Sequence, residues 1–432
     1  MRRLALLLMC VCCGPWAMAT GEMEQPIHLT LAQALEKTRD VSTGILVAEA
    51  RVQQAAARLS QARATLLPQI DGTLAGNRQT TDLRASGIQF SGAGPHIGPY
   101  NTFDARVHIT QAIFDAGAME RLRAARAGEK LSASQSQKAR EDALALVATM
   151  YIQAQRAQQH VALARAVLKR DRKALEVAQT SYKQGTGSLV ELDKAKAAVS
   201  QSRYALRAAA SDALQKRLDV AAALKIPAEV PIIFDEGDHR LALDKADGPQ
   251  GLSPDIRAAR DQVSAQDAQT AAARADYWPK LSAVGNFGRL GETPSNASNT
   301  YLLGLQATIP IWEGGSKQAS LAEARAKVKE ARAMLEDAQL QNQAQVIDAR
   351  ADISKAKMLI RAKTEGLSVA DEQMTIAQKR VGWGTGHQLD VDAAQAQKAQ
   401  AQDERQEAMA LLWTAKVSLA HALGRMESLI EN

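Results

Sequence analysis

The sequence predicts a mostly α-helical chain with a small β part, built from four strands and two long coiled helical hairpins. Three observations carry this prediction: two long stretches without proline, a glycine cluster inside each stretch, and a set of short motifs that occurs twice in the same order. Aromatic residues make up only 4% of the chain while alanine and glutamine are abundant, which suits long helices packed through small side chains.

The proline-free stretches are residues 100–226 and 311–432, and both are rich in good helix formers. Glycine clusters at 185–187 in the first and at 382–386 in the second, so each stretch predicts two long helices joined by a tight turn. The 68 residues from 117 to 184 would span roughly 100 Å as one helix. Apolar residues at three- and four-residue steps form a narrow stripe for lateral packing. A soluble coiled coil would explain these helices equally well.

The sequence also contains an internal repeat, which a simple coiled coil does not explain. Three motifs recur in order: 68–70 as 279–281, 113–117 as 311–315, and 185–187 as 384–386. The second and third matches lie 198 and 199 positions apart, so the long helix between them has nearly the same length in both halves. The first match lies 211 positions apart, because the loop between the predicted strands is longer in the first half.

Four segments are predicted as strands. Residues 103–113 and 301–311, just before the long helices, alternate with period two over about ten residues, as tilted transmembrane strands do. Weaker partners are 70–80 and 280–290. The loops that join each pair, 83–99 and 291–299, are rich in glycine, proline, serine and asparagine and are expected to face outward.

Four strands cannot close a barrel, and an open sheet edge in lipid leaves backbone groups unsatisfied at several kcal/mol each. The chain is therefore expected to share its barrel with other copies of itself. Two copies would supply eight strands and three would supply twelve, and the residues alone leave both numbers open.

The first nineteen residues read as a secretory signal peptide. Arg2 and Arg3 precede a short apolar core, and Ala17-Met18-Ala19 is a small-x-small cleavage site. All three cysteines (Cys10, Cys12 and Cys13) lie inside this segment and lack the context of a lipoprotein signal. Cleavage would lower the net charge from +6 to +4 and leave no cysteine in the mature chain.

The mature sequence offers no basis for enzyme chemistry. It contains no Ser/His/Asp grouping and no phosphate-binding loop, and its scattered histidines have no metal-ligand spacing. We therefore expect no catalytic residues, no cofactor and no metal. The small, dispersed positive charge gives no reason to expect nucleic acid as a partner.

The paired motifs resemble the TolC-like outer-membrane efflux protein family. The resemblance covers roughly residues 28–430 and rests on Leu-Pro-Gln-Ile at 67–70 with Trp-Pro-Lys-Leu at 278–281, on the strand-to-helix junctions, and on the glycine turns. It implies a homotrimer with a twelve-strand outer-membrane β-barrel continued by a periplasmic α-helical tunnel. It also implies three other partners: a periplasmic adaptor protein, an inner-membrane transporter and outer-membrane lipid.

The chain is expected to divide into a signal peptide (1–19), a first repeat (20–226), a linker (227–253) and a second repeat (254–432). By resemblance, the linker packs around the middle of the tunnel. The implied function is the channel subunit of a tripartite efflux or type I secretion system, located in the cell outer membrane with a periplasmic extension. It would be a passive exit duct, with drug, metal and protein cargo all left open.

The glycine turns are the first candidate site. Gly185 and Gly384 are expected to take the left-handed conformation that ends a helix, and Ser188 with Glu191 forms a Ser-x-x-Glu capping box. By resemblance the turns also dock the adaptor. The plainer interpretation is that they only build the hairpin. The docking residues are Gly185, Thr186, Gly187, Gly384, Thr385 and Gly386.

Acidic side chains near the turns are the second candidate site. Glu191, Asp193, Asp390 and Asp392 would form rings at the narrow entrance when the chain is repeated, and such rings hold cations. By resemblance, Asp390 is the best match to the family's entrance ring. Acids are also favoured in a first helical turn by the macrodipole alone. Where family members carry a tyrosine and an arginine that latch the entrance, this chain has Val381 and Gly386.

Two other protein classes compete with a channel. A periplasmic adaptor would show one hairpin between two short β-rich halves and an inner-membrane anchor, whereas this sequence predicts two hairpins and a cleavable signal. An exported enzyme with a coiled-coil stalk would need a catalytic constellation, which the sequence does not show.

Overall fold

The structure is a computed structural model that describes residues 26–82, 96–235 and 253–429. The predicted signal peptide (1–19), most of the predicted loop 83–99 and most of the linker 227–253 lie outside these ranges. The division of the chain into repeats and linker stays a prediction.

Seven α-helices lie in the described ranges, and six of them form three pairs of matching length. They are α1 (Leu31–Val41), α2 (Thr43–Ala64), α3 (Ala116–Lys183), α4 (Leu189–Ala223), α5 (Pro254–Ala275), α6 (Ser316–Gly382) and α7 (Gln388–Ala422). The long helices α3 and α6 have 68 and 67 residues, α4 and α7 have 35 each, and α2 and α5 have 22 each. Both predicted hairpins and their equal lengths are therefore confirmed.

In the same described ranges, six strands form two sheets. They are β1 (Ile27–Leu29), β2 (Gln69–Asp82), β3 (His96–Asp115), β4 (Ile232–Phe234), β5 (Lys280–Gly291) and β6 (Ser298–Thr308). β1 and β4 pair in parallel, while the other four form an antiparallel sheet in the order β2-β3-β5-β6. The central pairing of β3 with β5 joins the two halves of the chain. The mostly helical fold class with a small four-stranded sheet is confirmed.

Strand boundaries differ from the sequence prediction by up to several residues, and two of the differences involve proline. β6 ends at Thr308 rather than at 311, since Pro310 has no N–H to donate to a ladder. β3 begins at His96 and so includes Pro99, which lies within the segment predicted as a loop. The register between β2 and β3 shifts between Gln79 and Thr81 at this place, so the proline sits at an irregularity of the ladder.

The main buried core lies around the middle of α3. Tyr151, Leu144 and Ile152 of α3 pack against the two short strands and the ends of α4 and α7. The Tyr151 ring meets the Phe234 ring edge-on at 5.3 Å between centroids. Much of the remaining helical surface of the single chain is exposed, as expected of helices that pack laterally.

The last turns of α4 and α7 end in the same way. The N–H of Ile226 donates to the carbonyl of Ala221, and the N–H of Arg425 donates to the carbonyl of Ala420. The left-handed residue in the second end is Gly424, with φ of 65°. At the equivalent place in the first end is Lys225, which has φ of 51°.

Charged side chains of α3 hold the C-terminal turn. Glu141 is 2% exposed, and its carboxylate accepts a hydrogen bond of 2.7 Å from the N–H of Met426. Burial raises the pKa of Glu141. Nε2 of His421 donates to Asp142 at 2.7 Å, and this bond raises the pKa of His421. These contacts join the end of α7 to the middle of α3.

The helices are long, yet none of those in the described part of the chain contains a stretch apolar enough to cross a membrane.

Candidate functional site

The first glycine turn joins α3 to α4. Gly185 has φ of 75°, which confirms the predicted left-handed conformation. The N–H groups of Thr186 and Gly187 both donate to the carbonyl oxygen of Ser181 at 3.0 Å. A Cβ at Gly187 would lie 3.0 Å from the Cβ of Ser181, so only glycine fits here without movement. The turn therefore closes the end of α3 through its own backbone.

The start of α4 carries the predicted capping box. The N–H of Glu191 donates to the hydroxyl of Ser188 at 3.1 Å, and the N–H of Ser188 donates to the Glu191 carboxylate at 3.2 Å. The capping prediction is confirmed. Glu191 therefore has a structural role, and its side chain is exposed.

The second turn repeats this geometry between α6 and α7. Gly384 has φ of 72°, and the N–H of Thr385 donates to the carbonyl of Arg380 at 2.9 Å. A Cβ at Gly386 would lie 2.9 Å from the Cβ of Arg380. The Asp390 carboxylate accepts from the N–H of His387 at 3.2 Å, as Glu191 does from Ser188.

The end of α3 and the start of α7 lie side by side. Ser181 and Thr180 of α3 and Gln388 of α7 line one open cavity of about 300 Å³. The first turn follows Ser181 closely, and the second turn immediately precedes Gln388. The structure therefore brings the two predicted docking turns to the same end of the molecule.

The four predicted entrance acids lie at this end as well. Glu191, Asp193 and Asp390 are exposed, while Asp392 is half-buried and lines the cavity between α3 and α7. Asp193 pairs with Lys196 at 2.9 Å on its own helix. A hydrogen bond to Glu176 raises the pKa of Lys173, and Asp392 adds to the shift.

Sequence reasoning assigned no role to the apolar side chains beside the turns. Trp383 is 75% exposed, directly before Gly384, and Val190 is 62% exposed at the start of α4. The feature of the sequence that could have indicated this surface is an aromatic residue between two glycines at a helix end. Together with the exposed backbone of the turns, these side chains give a surface that can contact another protein.

Within residues 26–82, 96–235 and 253–429, histidine and acidic side chains form no group of three that could hold a metal ion. The two turns and the exposed apolar side chains beside them lie at one end of the chain, close to the four acids.

Two known proteins are similar to this chain in sequence. The chain is 25% identical over 411 residues to protein CyaE of Bordetella pertussis, covering 92% of this chain and 84% of CyaE. It is 27% identical over 305 residues to the toluene efflux pump outer membrane protein TtgF of Pseudomonas putida, covering 67% of this chain and 60% of TtgF. The alignment with TtgF thus spans less than two thirds of that protein.

A solved structure shares the fold. The outer membrane protein VceC of Vibrio cholerae superposes with a TM-score of 0.75 at 20% identity, covering 91% of this chain and 96% of VceC. A sequence model of the family described as outer membrane efflux protein matches residues 31–224 and 250–425. These matched ranges contain both helical hairpins and all four strands of the larger sheet, and the chain therefore belongs to the outer membrane efflux protein family.

Proposed function

We propose that three copies of the chain close a twelve-strand outer-membrane barrel and a periplasmic helical tunnel, which together form a passive exit duct. Inner-membrane pumps would deliver the cargo through a periplasmic adaptor. The chain would carry out no chemical reaction of its own.

The observation that carries this proposal is the pair of open edges of the four-stranded sheet. Among residues 26–82, 96–235 and 253–429, β2 and β6 each pair with one neighbour only, so each has a row of backbone groups free on its other side. Partner copies would pair these rows and remove both edges. Three copies are favoured over two by the family resemblance.

The glycine turns are proposed as the adaptor-docking surface. Gly185 and Gly384 leave open space where a side chain would point, and the two turns lie at one end of the chain. Glu191, Asp193, Asp390 and Asp392 are proposed to form acidic rings behind this surface. In a trimer each acid would occur three times around the axis.

Purification from outer-membrane fractions tests the channel proposal. We expect a species of three chain masses by light scattering, a heat-dependent shift in gel migration, and stepwise conductance in planar lipid bilayers. Recovery of the chain as a soluble periplasmic monomer without conductance would contradict the proposal and favour an adaptor-type protein.

A further inference from the structure

One face of the larger sheet is mainly apolar and the other is mainly polar. Leu74, Val107, Phe287 and Leu303 alternate along the four strands on the same face, and they are 75%, 44%, 63% and 84% exposed. In a membrane barrel this face meets lipid. The opposite face then lines the lumen, an assignment that rests on the proposed function.

The polar face carries a cluster of charged residues in three adjacent cross-strand rows. The rows are Asp71-His108-Asn286, Thr73-Arg106-Gly288 and Ala75-Asp104-Leu290. We call Asp71, Asp104, Arg106 and His108 the charged band. Directly opposed residues of antiparallel strands point to the same side, so the four side chains share this face.

Two hydrogen bonds to Asp104 fix the guanidinium of Arg106. Nε of Arg106 donates to one carboxylate oxygen of Asp104 at 2.6 Å, and a second nitrogen donates to the other oxygen. A Cβ at Gly288 would lie 2.8 Å from Cγ of Arg106, so the glycine leaves the space that the stem of Arg106 occupies. In the same row, the hydroxyl of Thr300 is buried and has no hydrogen-bond partner among the described residues.

The charges of the band do not cancel. The two-point contact neutralises Arg106 against Asp104, whereas Asp71 faces His108 and Thr73 has no charge. With His108 counted as neutral, each copy carries one unbalanced negative charge. Rings of charged side chains in a pore select ions by sign, and their field reaches about one Debye length, roughly 8 Å in physiological salt.

We propose that the charged band lines the lumen of the barrel and makes this part of the channel favour cationic over anionic solutes. Asp71 supplies the net negative charge of the band, while Arg106 and Asp104 neutralise each other. The band lies on the sheet and is separate from the entrance acids on α4 and α7.

Local electrostatics at the band can be measured with a single thiol. Thr73→Cys places the thiol among the band residues, and the predicted mature chain has no other cysteine. The purified oligomer in detergent is treated at pH 8 with methanethiosulfonates of either sign. The readout is the ratio of the cationic to the anionic modification rate, divided by the same ratio for a small free thiol.

We expect a ratio above one for Thr73→Cys. Adding Asp71→Asn should return it to about one, and adding Arg106→Gln should raise it about threefold, since local potentials concentrate counter-ions. Arg78→Gln is the matched control, because Arg78 has the parity of Leu74 and lies on the apolar face; it should leave the ratio unchanged. Leu74→Cys should react much more slowly with both reagents.

Two results would overturn the inference. One is a ratio of one or less that neither Asp71→Asn nor Arg106→Gln moves, and the other is a Leu74→Cys thiol that reacts faster than the Thr73→Cys thiol. If conductance persists in either case, the channel proposal stands and only the charged band is wrong. Absence of conductance and of oligomer would instead remove the channel proposal itself.

Discussion

The hydroxyl of Tyr151 donates a hydrogen bond of 2.7 Å to the carbonyl oxygen of Leu29, 122 residues earlier in the chain. Tyr151 is fully buried in the middle of α3, and burial raises the pKa of its phenol, so the donor proton is kept. Leu29 ends β1, which is paired in parallel with β4. This contact therefore fastens both short strands to the longest helix.

Tyr151→Phe removes this hydrogen bond and keeps the ring that packs on Phe234. We expect the free energy of unfolding to fall by about 1–2 kcal/mol, the usual cost of losing a buried hydrogen bond. Urea denaturation followed by circular dichroism measures it. Tyr204→Phe is the matched control, because Tyr204 is 69% exposed, and it should change the midpoint little. Equal midpoints for the two variants would show that the Tyr151 bond contributes nothing.

Lys225→Gly should stabilise the chain. Lys225 has φ of 51°, a left-handed conformation that costs a side-chain-bearing residue about 1–2 kcal/mol, and the equivalent residue of the second half is Gly424. The greater freedom of glycine in the unfolded chain offsets part of this, so we expect a net gain of about 0.5–1 kcal/mol. Lys196→Gly, inside α4, should instead lose about 1 kcal/mol. A loss of stability in Lys225→Gly would contradict the strain argument.

His421→Gln should weaken the fold more at pH 6 than at pH 9. The hydrogen bond to Asp142 raises the folded pKa of His421, with further attraction from Asp255 and Glu141. A raised histidine pKa stabilises the fold fully below the unfolded pKa, and this contribution is lost as the pH rises through the folded pKa. We expect about 1 kcal/mol at pH 6, since Asp142 is half exposed.

The measurement is the urea midpoint of parent and variant at both pH values. His387→Gln, at an exposed turn, is the control for the same substitution away from Asp142. A His421→Gln effect of the same size at pH 6 and pH 9 would exclude a protonated imidazole at this contact.

Gly384→Asn tests the docking surface. Asparagine tolerates the left-handed conformation, and its side chain would point into open space, so the turn should still form. We expect export to fall at least about tenfold, as a bulky group at a contact centre can cost 2 kcal/mol or more, with normal outer-membrane yield. Gly366→Asn, on the exposed surface of α6, is the control and should export normally. Loss of yield instead of export would mean that Gly384 only builds the hairpin.

Asp390→Asn tests the acidic ring. The amide oxygen can still accept from the N–H of His387, so the start of α7 keeps its cap while the charge is lost. We expect the cation-to-anion permeability ratio in planar bilayers to fall by about half. Glu330→Gln makes the same type of change far along α6 and should leave the ratio unchanged. A current trace identical to the parent would remove the ring hypothesis.

Local rules predicted most of the helical hairpins and part of the candidate site. Glycine at 185 and 384 was predicted to end a helix in the left-handed conformation, and the structure has it so. The capping of α4 by Ser188 and Glu191 was predicted for the same reason, since its donors and acceptors lie three residues apart. The adaptor-docking and entrance roles of these residues remain predictions.

Strand ends were less predictable. Period-two alternation located β3 and β6, and β2 and β5 were predicted as their weaker partners, but alternation does not reveal a bulge. The start of β3 at His96 depends on an irregularity that accommodates Pro99, and this depends on the pairing with β2. The glycines on either side of Trp383 mark a turn, but they do not say whether the indole packs or is exposed; in the structure it is 75% exposed.

The sequence by itself determined the number, length and pairing of the long helices and the faces of the strands, because these follow from periodicity, proline, glycine and capping within a few residues. Only the tertiary structure decided that β3 pairs with β5, that Tyr151 fastens β1 and β4 to α3, and that both glycine turns lie at one end. These relations link residues tens to hundreds of positions apart, as from Leu29 to Tyr151. They depend on how whole faces pack, which no local pattern encodes.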